Sequence, residues 1–260
     1  MAKNILALNF KGGSGKTTLS STTASYLHNS MLIEMDTINQ SDKRICSKNY
    51  YESIQMDFLT ELDDEFFKFE RILRKSDKNI IIDVGANKLS TFHKSMVTND
   101  LYQFVDLFLI PCMDGSDDFN VAMDFLESIK DHVDLENKVI FVFNRFNEYE
   151  YSSVQNQFDQ FFDNAKIIQK KYKVDLTNES NYFAIKDSLP IKYARRNAIT
   201  IKELCDTNLD AINQKIDEIT NEQDDELMQL IKKRNIVKSA LLLQKNYILP
   251  GIEKIINKLK

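Results

Sequence analysis

The chain of 260 residues is 43% hydrophobic and 28% charged, with six glycines, three prolines and a net charge of −5. These proportions exclude a disordered chain and predict one large globular domain, alone or with an appendage. No apolar run reaches the roughly 18 residues of a membrane-spanning helix, and three widely spaced cysteines predict reduced thiols in a cytoplasmic protein.

Apolar stretches and helical patterns alternate along the chain. Six stretches are apolar nearly throughout and predict strands, at residues 4–10, 31–35, 79–83, 106–111, 138–144 and 182–185. Five segments predict helices, at residues 15–29, 57–75, 91–104, 118–131 and 152–171. Strands of this kind are typical of a parallel sheet covered by helices on both faces, so the predicted fold class is α/β. The first strand begins at Asn4, which predicts that no signal peptide precedes it.

Two helical segments carry a distinct apolar face. The predicted helix 57–75 presents five apolar residues on one side: Phe58, Leu62, Phe66, Phe69 and Leu73.

From about residue 200 onward the pattern is helical only, with a break predicted at Pro250-Gly251. The last helix, residues 251–260, either lies on an anionic bilayer or packs on the protein. Its short length favours the docked alternative, in the same chain or across a dimer.

A glycine-rich stretch, "NFKGGSGKTT" at residues 9–18, follows the first strand and precedes a helix. This order is the setting of a phosphate-binding loop, whereas the alternative is a flexible turn. Gly12, Gly13 and Gly15 let backbone N–H groups approach an anion, and the helix that starts near Lys16 adds its positive end. Lys16 is expected to reach the β- and γ-phosphates of a nucleotide. The hydroxyl of Thr17 is expected to bind Mg²⁺, and Thr18 to meet the α-phosphate.

The loop departs from the usual pattern, because Phe10 stands where a glycine is expected. Its sequence, Lys11-Gly12-Gly13-Ser14-Gly15-Lys16-Thr17, resembles the deviant Walker A loop of the ParA/MinD family of P-loop ATPases. The resemblance implies that Lys11 reaches across a nucleotide-sandwich dimer to the ATP of the partner, as an arginine finger does. The alternative for Lys11 is a solvent-exposed loop lysine.

Two aspartates follow predicted strands. By the same resemblance, Asp36 after the second strand orients or activates the attacking water, and Asp83 at the end of the third strand holds Mg²⁺, through a water. The alternative for each is a helix N-cap. The sequence Val84-Gly85-Ala86 after Asp83 is similar to that of the TraL/StbB-like branch of conjugative plasmids.

Later segments add a base site and a basic surface. The resemblance implies that Asn144, at the end of the fifth strand, hydrogen-bonds the adenine; the alternative is a turn-forming Asn. Residues 184–204 resemble the family segment that borders the base, where Asp187 and Leu189 are candidates. Five basic residues lie in this region, and the resemblance implies DNA contact there: Lys186, Lys192, Arg195, Arg196 and Lys202.

Basic charge is also concentrated near the C-terminus. Residues 232–260 hold eight Lys or Arg residues and one acid, Glu253, which is a net charge of +7 and leaves −12 on the remainder. This asymmetry indicates a polyanionic partner or, alternatively, a solvated helix face.

The resemblance covers residues 4 to about 218. It predicts a P-loop ATPase domain at residues 1–220 and a helical extension at residues 221–260 packed on it. It implies an ATP- and Mg²⁺-dependent ATPase with slow turnover that forms a homodimer when ATP is bound. The implied role is in plasmid partition, stability or conjugation. Non-specific DNA and a protein that stimulates turnover are the expected partners. The alternatives are a MinD-like membrane-associated positioning ATPase and a nucleotide-binding scaffold with negligible turnover.

Overall fold

Seven parallel strands form one sheet in the computed structural model, which describes residues 2–35, 49–60, 62–219 and 224–260. The strands are β1 Asn4–Ala7, β2 Ser30–Met35, β3 Glu52–Gln55, β4 Asn79–Val84, β5 Leu107–Cys112, β6 Val139–Phe146 and β7 Tyr182–Lys186. Their order across the sheet is β3-β2-β4-β1-β5-β6-β7. The predicted α/β class with a parallel sheet is confirmed. The sequence patterns missed β3, an edge strand without buried residues.

Helices connect the strands and cover the sheet. In the described residues they are α1 Lys16–Tyr26, α2 Asp64–Lys75, α3 Leu89–Thr98, α4 Ser116–Ile129, α5 Val154–Gln157, α6 Asp159–Asp163, α7 Ala165–Tyr172, α8 Leu189–Arg196, α9 Ile201–Cys205, α10 Leu209–Glu218, α11 Asp224–Leu243 and α12 Leu249–Leu259. No helix of the described ranges combines the length and the apolarity of a membrane span.

Helix α2 begins later than the pattern predicted. Phe66, Phe69 and Leu73 lie on its buried face as expected, but Leu62 precedes the helix and is 79% exposed. The carboxylate of Asp63 accepts the N–H groups of Leu59 and Thr60 and closes the preceding turn. Phe58 lies before the helix and packs its ring against Phe66 of α2 at 5.2 Å between centroids, so the predicted start at residue 57 was wrong.

Other predicted helices are shorter or divided. The predicted helix 15–29 ends at Tyr26, because Leu27 is extended. The segment 91–104 contains α3 and a separate 3₁₀ turn, Leu101–Phe104, separated by Asp100 in the left-handed region at φ 50°. The segment 152–171 divides into α5, α6 and α7. Hydrophobic periodicity continues through such interruptions, so it does not reveal them.

Two hydrophobic cores lie on opposite faces of the sheet. Alternate strand residues contribute to each, so that Ile80 and Ile82 face one core and Ile81 faces the other. The first core is covered by α2, α3, α4, α6 and α7. The second is covered by α1 and by α8 to α12. The strands are therefore apolar on both sides, which explains the continuous apolar runs in the sequence.

The C-terminal helices are continuous and packed. A π-helical turn, Gln244–Ile248, joins α11 to α12, so the break predicted at Pro250-Gly251 was wrong. Pro250 is the second residue of α12, directly after the π-helical turn. Gly251 lies against the ring of Phe183 in β7.

Helix α12 packs on the sheet of its own chain. Ile252 and Ile255 are buried in the second core, and Lys254 Nζ donates to the Tyr182 carbonyl at 2.9 Å. Residues 220–223, where the predicted domain boundary falls, lie outside the described residues, and the division into two units stays a prediction.

Candidate functional site

The glycine-rich loop lies at the carboxyl edge of the sheet, beside its central strand. Strand β1, which leads into the loop, pairs with β4 on one side and β5 on the other. The chain continues from here toward both edges of the sheet, so β1 borders the topological switch point. In open parallel sheets the crevice at such a point binds ligands.

Two glycines of the loop adopt conformations that other residues rarely take. Gly13 has φ 78° and Gly15 has φ 92°, both in the left-handed region. Gly15 is also confined by space, because a Cβ there would lie 2.6 Å from Asn144 Nδ2. Gly12 is exposed, and no neighbouring atom lies within 4 Å of the position that a Cβ would occupy. The loop therefore presents open backbone at Gly12 and a fixed turn at Gly13 to Gly15.

Lys16 is the buried lysine of the loop. Its Nζ donates to the carbonyls of Asn9 at 2.9 Å and Lys11 at 2.8 Å, so the amine lies within the curve of the loop. Helix α1 begins at Lys16, and Gly15 gives it no side-chain cap. The first N–H groups of α1 consequently point toward the loop and make it electropositive. Thr17 is exposed in this first turn, and Thr18 is half-buried.

Lys11 has a different environment. Its Nζ lies 2.5 Å from Asp118 Oδ2, and the side chains of Lys11 and Asp118 are 42% and 3% exposed. The hydrogen bond to Asp118 raises the pKa of the Lys11 amine above its ordinary value. Asn9 fixes the Lys11 backbone, because its Oδ1 accepts the Lys11 N–H at 2.8 Å while its Nδ2 donates to Pro111.

Asn144 contacts the loop directly. Its Nδ2 donates to the Ser14 carbonyl at 2.6 Å, and the residue is buried at the end of β6. The next residue, Arg145, has φ 62° at a bulge in the β6–β7 pairing, and its carbonyl accepts from Gln157 Nε2. Asn144 thus supports the glycine-rich loop, a role that the sequence did not indicate. Its contact with a base stays a prediction.

Asp83 and Thr17 are the described candidates for a metal site. Asp83 is buried on β4, in register with Ala7 of β1 and Glu34 of β2, so it lies beside the strand that enters the loop. A carboxylate and a hydroxyl are oxygen ligands that suit Mg²⁺, which keeps several waters. The donor set fits this ion together with phosphate oxygens. In the ranges that the structure describes, no three His, Cys, Asp or Glu residues are grouped to hold a metal.

The sequence matches no family model and no curated protein. Among solved structures, MinD cell division protein of Aquifex aeolicus is 16% identical with a TM-score of 0.51, covering 79% of this chain and 90% of that chain. The structure of pNOB8 ParA is 13% identical with a TM-score of 0.51, covering 100% and 99%. A putative plasmid partition protein of Borrelia burgdorferi, bound to AMPPNP, is 14% identical with a TM-score of 0.49, covering 93% and 98%.

The chain has the ParA/MinD fold. This confirms the fold that the loop sequence and the order of elements predicted. Assignment to the TraL/StbB-like branch and the deviant Walker A role of the loop stay predictions.

Asp36 is the residue predicted to orient the attacking water. Asp36 lies outside the described residues, which resume at residue 49. Strand β2 ends at Met35, whose carbonyl accepts the Gly85 N–H at 2.8 Å. The residue before Asp36 is therefore fixed beside the end of β4, but the role of Asp36 stays a prediction.

The residues predicted to border the base lie at the other end of the same edge. Leu189 is 72% exposed at the start of α8, and Asp187 pairs with Lys192 at 3.1 Å. Arg195 and Arg196 are exposed at the end of α8. Leu189 at the start of α8 and the two arginines at its end are thus accessible.

The basic residues near the C-terminus divide into exposed and partly buried sets. Four are exposed on α11 and the π-helical turn: Lys232, Lys233, Lys238 and Lys245. Lys254 and Lys258 are half-buried, and burial lowers the pKa of both amines. Helix α8, which ends in the exposed Arg195 and Arg196, packs against α11. The candidate polyanion surface is therefore formed by α8 and α11, without most of α12.

Proposed function

We propose that this chain is an ATPase that binds ATP with Mg²⁺ and dimerises around the bound nucleotides. The observation that carries the proposal is the placement of the two loop lysines. Lys16 is buried inside the loop, whereas Lys11 is half-exposed outside it. One lysine is thus available for the phosphates of its own subunit and the other for those of a facing subunit.

Within one subunit, different residues bind the phosphates, the metal ion and the attacking water. Lys16 and the first N–H groups of α1 hold the β- and γ-phosphates. Thr17 and Asp83 hold Mg²⁺, which when bound neutralises charge on the phosphate oxygens. Asp36 orients the attacking water. Asn144 keeps the Ser14 carbonyl in place, so that the backbone of the loop is set before the nucleotide enters.

Lys11 contributes from the opposite subunit in this proposal. A second cation on the transferring phosphoryl group stabilises the transition state in the way of an arginine finger. It also makes the dimer depend on the γ-phosphate, because the attraction between Lys11 and its target is lost on hydrolysis. The protein is then a slow switch for plasmid partition, stability or conjugation, with a partner protein that stimulates turnover.

Non-specific DNA is the proposed polyanionic partner. The support is the exposed basic surface of α8 and α11 on a chain that is otherwise acidic. Such a surface binds backbone phosphates without reading bases. A membrane role of α12 has less support, since Ile252 and Ile255 are buried against the sheet.

The decisive experiment compares Lys11→Ala with Lys16→Ala. Lys11→Ala is expected to bind ATP almost normally but to lose ATP-dependent dimerisation and turnover, because its contact lies in the facing subunit. Lys16→Ala is expected to lose nucleotide affinity itself. Fluorescent-nucleotide titration and sedimentation velocity measure the two properties, and Lys170→Ala, an exposed lysine of α7, is the control. Normal ATP-dependent dimers of Lys11→Ala would refute the cross-subunit role, and absent turnover in the wild type would favour a scaffold.

A further inference from the structure

Lys11 is held by its own subunit. Its Nζ makes a 2.5 Å contact with Asp118 Oδ2, and Asp118 is almost fully buried in the first turn of α4. Asp118 is itself fixed, because its Oδ1 accepts the Met113 N–H at 3.2 Å. The carboxylate therefore offers the Lys11 amine one defined position inside the subunit.

The backbone of Lys11 is fixed by hydrogen bonds that do not involve its amine. Its N–H donates to Asn9 Oδ1, and its carbonyl accepts from Lys16 Nζ. A change of partner for the Lys11 amine consequently needs only rotations about the bonds of a long side chain. In the dimer proposed above, the Lys11 amine exchanges the Asp118 carboxylate for a phosphate of the facing subunit, so the two contacts compete.

We propose that Asp118 is a positioning residue that retains Lys11 in its own subunit and thereby opposes ATP-dependent dimerisation. The inference rests on the proposed cross-subunit role of Lys11. When Lys11 leaves, Asp118 keeps the Met113 N–H but loses its cation, and a buried carboxylate without a cation is unfavourable. Only subunits whose Lys11 has left Asp118 are competent to dimerise. The smaller this fraction of subunits, the weaker the apparent affinity of the dimer.

The test replaces Asp118 by Asn, which keeps the shape and the acceptor for Met113 but removes the charge. The dimer of Asp118→Asn is expected to form with a dissociation constant about fivefold lower in ATP, the size of contribution given by a partly exposed ion pair. Asp124→Asn is the matched control, because it makes the same charge change on the exposed side of the same helix, away from Lys11. Its dimer affinity is expected to equal that of the wild type, and thermal unfolding verifies that both variants are folded.

Two further measurements separate positioning from a general effect on folding. In a Lys11→Ala background, Asp118→Asn is expected to have no effect on the dimer, because the residue acts through Lys11. NMR of the methylated Lys11 amine in the monomer is expected to show a lower pKa in Asp118→Asn, since the hydrogen bond from Lys11 to Asp118 raises it most.

The possible results distinguish this inference from the proposed function. If the wild type dimerises with ATP through Lys11 and Asp118→Asn has the same or a weaker dimer, the retaining role is wrong and the proposed function stands. If neither the wild type nor Asp118→Asn dimerises with ATP, both are wrong. Dimerisation that is tighter in Asp118→Asn than in both the wild type and Asp124→Asn supports both.

Discussion

Two adjacent isoleucines of α12 test whether this helix stabilises the fold. Ile255 is fully buried in the second core, whereas Ile256 is 36% exposed. Substitution by Ala removes three carbon atoms from either residue and changes the helix propensity of α12 equally. At Ile255 the lost transfer free energy is about 2.4 kcal/mol, and the cavity brings the total loss of unfolding free energy to about 3 to 4 kcal/mol. At Ile256 about two-thirds of that transfer term applies and no closed cavity forms, so the loss is about 1.5 kcal/mol.

Equilibrium unfolding in urea measures both losses, and co-sedimentation with anionic liposomes measures membrane binding of the same proteins. Ile255→Ala is expected to be the less stable variant by at least about 1 kcal/mol, with no liposome binding in either. Deletion of residues 251–260 is expected to lower the thermal stability further. Equal, small losses in the two variants, together with liposome binding that requires residues 251–260, would refute the docked position of α12 and favour a membrane role.

The remaining predictions concern hydrolysis and DNA. Asp36→Ala is expected to bind ATP and to dimerise, with turnover lowered about 10²- to 10⁴-fold. Asp83→Ala is expected to lose the Mg²⁺-dependent binding of ATP. Equal losses of Mg²⁺ affinity in the two variants would show that Asp36 is misassigned. If about five phosphates are neutralised, log affinity for DNA falls against log salt with a slope of about −4 to −5. Arg196→Glu is expected to flatten this slope, whereas Lys170→Glu on the opposite side of the sheet leaves it unchanged. Affinity that is independent of salt would exclude DNA as the partner.

The features of the fold that were predictable are those that local sequence determines. The strands are apolar because both of their faces are buried, so each core strand except the edge strand β3 appeared as an apolar run. The loop was predictable because its glycines must adopt positive φ or leave open backbone at fixed spacing. The interruption at Asp100 was not, because a single residue in the left-handed region leaves the hydrophobic period unchanged.

The contacts that complete the candidate site were not predictable, because they join residues far apart in the chain. Asp118 is 107 residues from Lys11, and Asn144 is 130 residues from Ser14. An acid in the first turn of a helix is ordinarily explained by the helix dipole, and an Asn after a strand by a turn. Only the order of the strands brings these side chains to the loop.

The division of the two cores sets an order for folding during synthesis. The helices that cover the first core are complete once residue 172 has been made, so this side of the sheet can close on a partial chain. On the second face only α1 comes early, and α8 to α12 are the last elements of the chain. Helix α12 contacts β5 and β7, so until it emerges from the ribosome apolar residues such as Leu107 and Phe183 lack this cover, and the nascent protein is prone to aggregation from that side.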